Sequence, residues 1–593
     1  MATQSSSRMS NAAVTLRASL DYDPVPLKFG TSGRRGLVAD LTQLEVYITA
    51  TAELEYLQSL PKPEGGIVRG EEFYFACDLR PSSSQLVLDS KNFYDLAAAI
   101  RAIYRRENGQ SPARLRGGLA QAVQQAIADS GMKPVFLGRI PTPALASYAF
   151  DRAKGSMMVT GSHIPFDRNG YKTNTARGEL LKRDEAPIQA RVELVRARLY
   201  DQPVTESRFN TGGMFQADGG ELAPATREAT EAFLRRYVDF FAGQTLRGKR
   251  ILVYQHSAVG RDFLVELLRH FGAEVIPAGR SETFVPIDTE AIDAERLGII
   301  QSLATTAWQQ HGPLDAVVSI DGDSDRPLVL GVEPEGAGCR VKFFGGDLVG
   351  MVVAEYLKAD AVVVPVSCND ALDRGPLRAV VEPKTRIGSP YVIAGMQQAV
   401  AAGRKAVCGW EANGGFLLGS TLTRAGRTLC ALPTRDAFLP ILGVLFCAAE
   451  KGKSVCALFD ELPRRFSRAA LLKNFPRPVS EKIVRRFTPA GINSMLVDFA
   501  GAIEPALLKI QAEITRFFTN GLGFGTVEKV DYTDGMRIYF SNGDVAHVRP
   551  SGNADELRIY AVAESQSRAD AIARMGVAEP DGILRRLETA VSS

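Results

Sequence analysis

Cysteine and histidine are scarce in this chain, and neither residue type forms a recognisable metal-binding pattern. Seven cysteines are scattered over 593 residues, and none belongs to a Cys-x-x-Cys pair. Cys408, Cys447 and Cys456 lie among apolar residues, which indicates buried thiols in a cytoplasmic protein. The five histidines are too few to favour a histidine-rich metal centre.

Long apolar runs and a large net charge are also absent. No apolar run reaches the roughly 18 residues of a membrane-spanning helix, so we expect none. Lysine and arginine total 70 and aspartate and glutamate 67, and the resulting charge of +3 gives no reason to expect a nucleic-acid or membrane partner. Residues 1–11 are rich in serine, and we expect them to be disordered and not to form a signal peptide.

The order of predicted elements favours an α/β fold with several domains. The chain is too long for one core, and apolar strand-like runs alternate with helical patterns. Strand-like runs lie at 250–255, 273–277, 316–320, 361–367, 379–382 and 406–409, and helical patterns at 260–271, 289–310, 390–402, 436–450 and 567–587. We predict four domains at 1–212, 213–333, 334–468 and 469–593: three related α/β domains and a C-terminal α+β domain.

Residues 160–172 are the most informative stretch and read Thr-Gly-Ser-His-Ile-Pro-Phe-Asp-Arg-Asn-Gly-Tyr-Lys. An apolar run ends abruptly in the Ser162-His163 pair, and proline follows, which is typical of a strand that enters a tight loop. A serine on a stiff loop, with His163 beside it and Lys172 further on, can serve as a nucleophile or as the carrier of a transferred group. A turn-forming serine is the alternative.

Residues 321–326 read Asp-Gly-Asp-Ser-Asp-Arg and follow a predicted buried strand. Three carboxylates at alternate positions, from Asp321, Asp323 and Asp325, can converge on one hard cation such as magnesium, manganese or calcium. The spacing is also that of an EF-hand loop, but no helix precedes it and Val332 occupies the twelfth position, where an EF-hand has glutamate. A solvated polar turn is the other interpretation.

Two further loops carry groups suited to a phosphorylated sugar. If the backbone is extended, Glu411 and Asn413 lie on the same side, where a carboxylate and an amide can bind neighbouring hydroxyls. The loop after a predicted Asn-Gly hairpin offers arginines, small polar side chains and backbone amides, a nest suited to a phosphate that is held but not cleaved. Its residues are Arg549, Ser551, Gly552, Asn553 and Arg558. Taken alone, the first loop is by default an ordinary glycine-rich turn, and the second is equally a basic surface loop.

Taken together, the four segments supply a hydroxyl carrier, a metal site, a hydroxyl clamp and a phosphate clamp. Phosphoryl transfer depends on positioning and on charge neutralisation more than on covalent chemistry by the protein. A sugar phosphate is therefore the substrate class that this set of side chains predicts.

With these segments in view, the chain resembles the α-D-phosphohexomutases, the family of phosphomannomutases and phosphoglucomutases. Three more segments carry the resemblance in the right order: Phe-Gly-Thr-Ser-Gly-Arg-Arg-Gly at 29–36, Cys-Asp-Leu-Arg-Pro-Ser at 77–82 and Pro-Thr-Pro at 141–143. The resemblance implies four domains with mixed sheets. It also implies reversible phosphoryl transfer between the 1- and 6-positions of mannose or glucose phosphate, through a phosphoserine and a hexose 1,6-bisphosphate that also serves as activator.

The resemblance also implies a role for each matching position. Ser162 resembles the phosphorylated serine, and with Asp321, Asp323 and Asp325 it would hold one Mg²⁺. Arg34 and Lys172 resemble basic residues close to the reacting phosphate, and His163 or Lys172 would accept the proton of the substrate hydroxyl. The residues expected to bind substrate are Arg326, Thr385, Gly388, Glu411, Asn413, Arg549, Ser551, Gly552, Asn553 and Arg558.

The chain departs from the family pattern at several loop positions. Gly161 and Ile164 replace alanine and asparagine beside the serine, and Asn413 and Gly415 stand where many members carry serine and histidine. In two other loops, Ser389 replaces histidine and Asn553 replaces threonine. These changes leave the sugar open, with phosphoglucosamine as an alternative substrate. A metal-dependent phosphohydrolase and a catalytically silent sensor are the rival functions, and we expect a monomer or a homodimer.

Overall fold

The computed structural model describes residues 14–30, 32–88, 115–216, 220–290, 292–489, 495–499, 504–551 and 555–592. Four sheets of four to six strands follow one another along these residues, each with its own helices. We refer to the four parts as domains I to IV. The predicted α/β architecture with mixed sheets is confirmed. The expectation for residues 1–11 and the proposed roles of Gly552 and Asn553 fall outside the described residues.

Domain I is built on a mixed sheet with the strand order β1-β7-β6-β2-β5. Its strands are β1 (Arg34–Leu37), β2 (Glu72–Cys77), β5 (Lys133–Arg139), β6 (Ser156–Val159) and β7 (Arg168–Asn174), and β3 (Leu86–Leu88) pairs apart from them with β4 (Leu115–Gly117). The helices are Leu16–Ser19, Gln43–Ser59, Pro81–Ser84, Leu119–Asp129, Thr142–Asp151 and Lys182–Tyr200, with 3-10 turns at Lys62–Glu64 and Val204–Glu206. Because β2 is parallel to β6 and β5, the loops that follow β2 and β6 meet at one edge.

Domain II carries the sheet β12-β11-β10-β8-β9. Its strands are β8 (Arg250–His256), β9 (Glu274–Arg280), β10 (Ala316–Ile320), β11 (Pro327–Glu335) and β12 (Gly338–Phe344), and its helices are Glu228–Phe240, Arg261–His270 and Ala294–His311. All five residues of β10 are buried, as its continuous apolar run requires for a strand covered on both faces. The strand ends directly before Asp321.

Domain III has the four-stranded sheet β13-β14-β15-β18 and a separate hairpin, β16-β17. The strands are β13 (Ala361–Val363), β14 (Val407–Trp410), β15 (Phe416–Leu418), β16 (Leu422–Arg424), β17 (Arg427–Leu429) and β18 (Leu432–Asp436). The helices are Gly346–Leu357, Ser389–Ala401, Phe438–Glu450 and Val455–Phe459, with 3-10 turns at Asp370–Asp373 and Pro376–Val380.

Domain IV is an antiparallel sheet of the order β19-β24-β23-β22-β21-β20 with helices against it, the α+β arrangement that was predicted. The strands are β19 (Phe466–Lys473), β20 (Leu496–Asp498), β21 (Val527–Asp531), β22 (Met536–Phe540), β23 (Val545–Pro550) and β24 (Glu556–Ala563). The helices are Arg477–Phe487, Pro505–Phe517, Gln566–Val577 and Ile583–Ser592, and a 3-10 turn lies at Asn520–Leu522.

Two predicted domain boundaries fall inside strands. The boundary between 333 and 334 lies within β11, which pairs along its length with β12, so the second sheet continues to Phe344. The boundary between 468 and 469 lies within β19, which pairs with β24 and therefore belongs to domain IV. After the helix Lys182–Tyr200, Phe215 and Ala223 still contact domain I, since their N–H groups donate to Gln43 Oε1 and Gln124 Oε1.

Two predicted elements differ from the structure. The strand-like run at 379–382 overlaps the 3-10 turn Pro376–Val380, because a proline at the first position favours a helical turn; a single bridge from Val381 to Val362 follows it. The pattern at 567–587 forms two helices and not one, since a turn that contains Pro580 separates them.

The hydrophobic cores link domains I, II and III to one another more closely than they link domain IV to the other three. One continuous buried cluster runs from Tyr74 and Tyr148 of domain I through Phe233 of domain II to Phe438 of domain III. The rings of Phe233 and Phe438 meet edge to face at 5.1 Å. Domain IV has a buried cluster of its own. Among the described residues, no helix combines the length and the apolar character needed to cross a bilayer.

His256 supplies a test of the buried electrostatics of domain II. Its ring is fully buried at the end of β8, and Nε2–H donates to the carbonyl of Ile320 at 2.7 Å. Burial lowers the pKa of His256 to about 4, because the charged imidazolium would lose its hydration.

We therefore expect the free energy of unfolding to fall as the pH drops below about 6.5. In that window the unfolded chain binds a proton at His256 and the folded chain does not. For this group the loss is about 2 kcal/mol between pH 6.5 and pH 5. Urea denaturation of the wild type and of His256→Gln at pH 7 and pH 5 measures it. Equal losses in the two proteins would contradict the assignment.

Candidate active site

Ser162 stands on a strained turn after β6. Its φ of +54° lies in the left-handed region, which few residues other than glycine adopt. The backbone N–H of Ser162 donates to Thr160 Oγ1 at 2.7 Å, and the Thr160 hydroxyl donates to Asp78 Oδ2 at 2.8 Å. Asp78 follows β2, the neighbouring parallel strand. The two loops therefore hold each other, and the serine side chain is 3% exposed.

Arg80 stabilises the serine loop by hydrogen bonds to its backbone. Its guanidinium donates to the carbonyls of Ser162 at 3.0 Å, Pro165 at 2.8 Å and Arg168 at 2.9 Å, and it stacks 3.8 Å from the ring of Phe284 in domain II. A Cβ at Gly161 would come within 2.5 Å of this guanidinium. The close packing of Arg80 therefore accounts for glycine where the family usually has alanine.

The acidic loop lies directly opposite the serine. Ser162 Oγ donates to Asp321 Oδ2 at 2.8 Å. One carboxylate oxygen from each of Asp321, Asp323 and Asp325 lies within 4.8 Å of the others, and all three residues are buried. A Cβ at Gly322 would lie 2.6 Å from the carbonyl of Ser162, so glycine lets the two loops touch. The structure thus brings the predicted carrier and the predicted metal ligands together.

Two cations from other domains face these carboxylates. Lys172 on β7 donates to Asp323 Oδ2 at 2.7 Å and to Asp325 Oδ2 at 2.6 Å. Arg435, at the end of β18 in domain III, donates through Nε to the same oxygen of Asp325 at 3.1 Å. The cluster is therefore assembled from domains I, II and III.

The three carboxyl groups differ in their pKa shifts. Burial and the charges of Asp323 and Asp325 raise the pKa of Asp321. Burial alone would also raise the pKa of Asp323, but Lys172 outweighs it and the pKa is lowered. The pKa of Asp325 is lowered in the same way, with Arg435 as the largest opposing influence. Asp321 is therefore the carboxyl group that holds a proton most readily.

The oxygen atoms of this cluster fit a hard divalent cation. Within the described part of the chain, Asp323 Oδ1 and Asp325 Oδ1 are buried and have no hydrogen-bond partner. Buried carboxylate oxygens without partners are costly unless a cation satisfies them. The ligand atoms are all oxygens, which favours magnesium over zinc.

His163 is half-buried, with Nδ1 3.4 Å from Ser162 Oγ. Burial, together with the nearby charge of Arg326, lowers the pKa of His163 to about 3, so its imidazole is neutral at physiological pH. Arg326 donates its backbone N–H to Asp321 Oδ1 at 3.2 Å. Its guanidinium lies 3.6 Å from Asp325 Oδ1. Both predicted site residues thus adjoin the carboxylate cluster.

Arg34, predicted beside the reacting phosphate, points the other way. It is fully buried in domain I, where Nε donates to Glu53 Oε1 at 2.6 Å and the guanidinium stacks 3.8 Å from Phe29. Arg35 lies on the opposite face of β1. Its partner on the antiparallel strand β7 is Gly170, and because side chains alternate along a strand, Lys172 lies on the same face of the sheet as Arg35. Burial lowers the pKa of Arg35 to about 10, with Asp323 as the main opposing influence. Arg35 therefore replaces Arg34 as the arginine that faces the cluster.

The predicted sugar loop is tied to the metal loop through Arg435. Glu411 Oε2 accepts from Arg435 Nη1 at 2.9 Å, so one guanidinium holds carboxylates of both loops. Asn413 Oδ1 accepts from the N–H of Gly415 at 2.9 Å and stabilises its own turn. A Cβ at Gly415 would lie 2.5 Å from Arg435 Cδ. Because Arg435 occupies the space beside position 415, glycine fits at that position and a larger residue does not.

Glu179 in domain I contacts the loop that contains Thr385 and Gly388. Its Oε2 accepts from the Ser389 hydroxyl at 2.7 Å, and its Oε1 accepts from the Thr434 hydroxyl at 2.6 Å. Gly388 has a φ of +129°, a conformation that L side chains rarely adopt. One carboxylate thus holds two segments of domain III on domain I.

The predicted phosphate loop of domain IV faces the other domains. Arg549 and Arg558 are opposite each other on β23 and β24. Arg549 Nε donates to Asp534 Oδ1 at 3.1 Å, and Arg558 Nη1 lies 3.7 Å from Glu290 of domain II. Ser551 is buried, and its N–H donates to the carbonyl of Glu556 at 2.9 Å.

Sequence reasoning missed five residues of this region: Arg35, Arg80, Glu179, Arg435 and Asp534. Arg35 and Arg80 lie in segments that carried the family resemblance, and the alternation of side chains on β1 separates Arg35 from Arg34. The Arg435-Asp436 pair ends the short strand β18, whose sequence Leu-Pro-Thr-Arg-Asp lacks the apolar run that marked Asp321. Glu179 and Asp534 have no local pattern, because their partners are distant in sequence.

Three segments of the chain match family models for phosphoglucomutases and phosphomannomutases. Residues 115–197 match alpha/beta/alpha domain I, residues 345–466 match alpha/beta/alpha domain III, and residues 501–578 match the C-terminal domain. The match to domain III begins directly after β12, in agreement with the extent of the second sheet.

Individual relatives match over most of the chain. A phosphoglucosamine mutase of Brucella anthropi is 26% identical, covering 80% of this chain and 99% of its own. The solved structure of a phosphoglucomutase/phosphomannomutase family protein from Burkholderia thailandensis shares the fold, with a TM-score of 0.59 at 17% identity, covering 95% of this chain and 97% of its own. A phosphomannomutase of Sinorhizobium fredii (strain NBRC 101917 / NGR234) is 35% identical over 554 residues, covering 93% of this chain and 98% of its own. Because that identity extends over nearly the whole of both chains, this protein belongs to the α-D-phosphohexomutase family.

Proposed function

We propose that this protein interconverts the 1- and 6-phosphates of a hexose, through phosphorylated Ser162 and a hexose 1,6-bisphosphate. As a family member it is an isomerase of the phosphomutase type. The observation that carries the proposal is the 2.8 Å contact of Ser162 Oγ with Asp321, inside a cluster of three buried carboxylates. That contact places a hydroxyl where a cation and a phosphoryl group can meet.

We assign metal binding to Asp321, Asp323 and Asp325, with an oxygen of Ser162 or of its phosphate as a further ligand. One Mg²⁺ bound there would offset the negative charge of the phosphoryl group. The strained turn at Ser162 holds the hydroxyl at a fixed position, and the burial of the residue limits access of water that would otherwise hydrolyse a phosphoserine.

His163 is our candidate for the group that accepts the proton of the substrate hydroxyl. Its imidazole is neutral and lies beside Ser162, whereas Lys172 has its ammonium engaged by two carboxylates. Lys172 and Arg35 instead supply positive charge beside the cluster. A neutral histidine with a low pKa is a weak base, so we expect charge neutralisation to contribute more than proton transfer.

Mannose phosphate is the substrate that we propose first, and glucose phosphate second. The phosphomannomutase relative is 35% identical, and the phosphoglucosamine mutase relative is 26% identical. Glu411, Asn413 and the Thr385–Gly388 segment would contact the sugar, Arg326 the transferring phosphate, and Arg549, Ser551 and Arg558 the distal phosphate. Hexose 1,6-bisphosphate as activator and a monomeric or homodimeric state are part of the same proposal.

A cytoplasmic location also belongs to this proposal. All seven cysteines are free, and six of them are buried. Free thiols are typical of a reducing compartment.

Replacement of Ser162 tests the carrier role. Ser162→Ala removes the acceptor oxygen, so we expect no detectable isomerisation of mannose 1-phosphate with Mg²⁺ and a trace of bisphosphate, while thermal unfolding stays near that of the wild type. Intact mass with and without phosphatase treatment reports the phosphoserine directly. Normal turnover by the variant would contradict the role. Net release of inorganic phosphate by the wild type would identify a hydrolase instead. If the wild type catalyses no reaction at all, the catalytically silent sensor is the remaining function.

Metal dependence should reside in the acidic loop. Asp323→Asn removes one charge from the cluster, and we expect the apparent affinity for Mg²⁺ to fall about tenfold or more. Because the pKa of Asp321 is raised, a proton competes with the cation there, so the apparent affinity of the wild type should increase with pH above the ordinary carboxyl range. Titration calorimetry measures both, with the exposed Asp262→Asn as control. Identical isotherms for the two variants would contradict the assignment.

The two neighbouring arginines should behave differently. Arg35→Gln removes positive charge beside the cluster, so we expect kcat to fall about a hundredfold with stability retained. Arg34→Gln leaves Glu53 buried without its arginine, so we expect the unfolding free energy to fall by about 3–5 kcal/mol. Steady-state kinetics and urea denaturation on both variants separate the effects. A stable Arg34→Gln variant with greatly reduced kcat would reverse the assignment.

A further inference from the structure

Asp534 joins domain IV to domain III at the phosphate loop. It lies in the turn between β21 and β22, and its two carboxylate oxygens bind in different domains. Oδ1 accepts from Arg549 Nε at 3.1 Å, and Oδ2 accepts from the backbone N–H of Ile387 at 2.9 Å. Ile387 lies between Thr385 and Gly388, in the loop assigned to the sugar. One side chain therefore contacts both the phosphate loop and the sugar loop.

The turn that carries Asp534 is held firmly. Gly535 follows with a φ of +85°, and a Cβ there would lie 2.5 Å from the carbonyl of Val548 on β23, the strand that bears Arg549. The buried ring of His547 donates through Nε2 to the carbonyl of Asp534 at 2.6 Å. The backbone on both sides of the carboxylate is thus fixed against β23, which leaves the side chain little freedom to move away from Arg549.

The contact with Asp534 also orients the guanidinium. A polar cavity of about 430 Å³ lies between domains I, III and IV, and its lining includes Arg549 and Asp534 together with Gly30, Lys182, Arg386 and Arg477. Asp534 engages Arg549 at Nε, on the side of the guanidinium. Among the described residues, the terminal nitrogens of Arg549 donate no hydrogen bond, so those N–H groups are available to the cavity. Terminal N–H pairs bind a phosphate in bidentate fashion.

We propose that Asp534 is a positioning residue, which orients Arg549 toward the distal phosphate and fixes the spacing between the phosphate clamp and the Thr385–Gly388 loop. The inference rests on the proposed function. A carboxylate that holds the arginine in one rotamer before the phosphate arrives reduces the side-chain entropy lost on binding. The link to Ile387 would also transmit the position of domain IV to the sugar loop.

A role in positioning and a role by charge alone predict opposite results. Asp534 places a negative charge close to where a phosphate would bind, so if charge alone mattered, its removal would tighten phosphate binding. If Asp534 orients Arg549, its removal weakens binding. We expect Asp534→Ala to raise KM for mannose 1-phosphate about tenfold, the equivalent of one charged hydrogen bond, with a smaller change in kcat.

Asp534→Asn keeps the size of the side chain but can accept from one of the two donors, so we expect a smaller rise in KM. Asp531→Asn is the matched control, because Asp531 ends β21 three residues before Asp534 and accepts from the N–H of Thr533, not from Arg549 or Ile387. Its KM should equal that of the wild type. If Asp534→Ala does not fold, Asp534→Asn alone carries the comparison.

A double-mutant cycle tests whether Asp534 acts through Arg549. In an Arg549→Ala background, Asp534→Ala should raise KM by much less than tenfold, since only its link to Ile387 remains to be lost. Additive effects, an unchanged KM, or tighter binding by Asp534→Ala would each overturn the proposal. Calorimetric titration of wild type and variants with inorganic phosphate keeps the question separate from the proposed function. An inactive wild type refutes the mutase assignment, whereas weaker phosphate binding by Asp534→Ala still supports the positioning role.

Discussion

The balance of charge around Asp325 is the interaction on which the site depends. Three buried carboxylates within one loop would repel one another and lose their hydration, yet the structure keeps them together. Lys172 from domain I and Arg435 from domain III share Asp325 Oδ2, and the serine of domain I donates to Asp321. The acidic loop therefore cannot be in place unless three domains have assembled around it. Ser162 and Asp321 follow strand ends, whereas Lys172 lies within β7, and the three side chains meet where the domains adjoin.

The same arginine explains a departure of this chain from its family. Arg435 joins Asp325 to Glu411, so the metal loop and the sugar loop share one cation. Its side chain fills the space next to Gly415, and Gly415 is the position where many members of the family have histidine. A histidine side chain at position 415 would therefore require Arg435 to move.

Sequence reasoning identified the segments that follow apolar strands, because an abrupt change from apolar to polar residues marks both the strand end and the functional loop. Ser162, Asp321, Glu411 and Arg549 were predicted in this way. It failed where position depends on register or on distant partners. The choice of Arg34 over Arg35 is one such case, since a strand of four residues has too short a periodic signal to show its faces. Glu179 is another, because its partner Ser389 lies 210 positions further along the chain.

The continuous core of domains I to III has a consequence for how the chain acquires its structure during synthesis. Tyr74 and Tyr148 emerge from the ribosome early, yet they belong to the same buried cluster as Phe438, which is made much later. Until that segment is available, an apolar face of the early domains stays exposed to solvent and can associate with other chains. Chaperones counter this hazard in long multidomain chains. Domain IV, with its separate core, can complete its packing as soon as its own last helix has been translated.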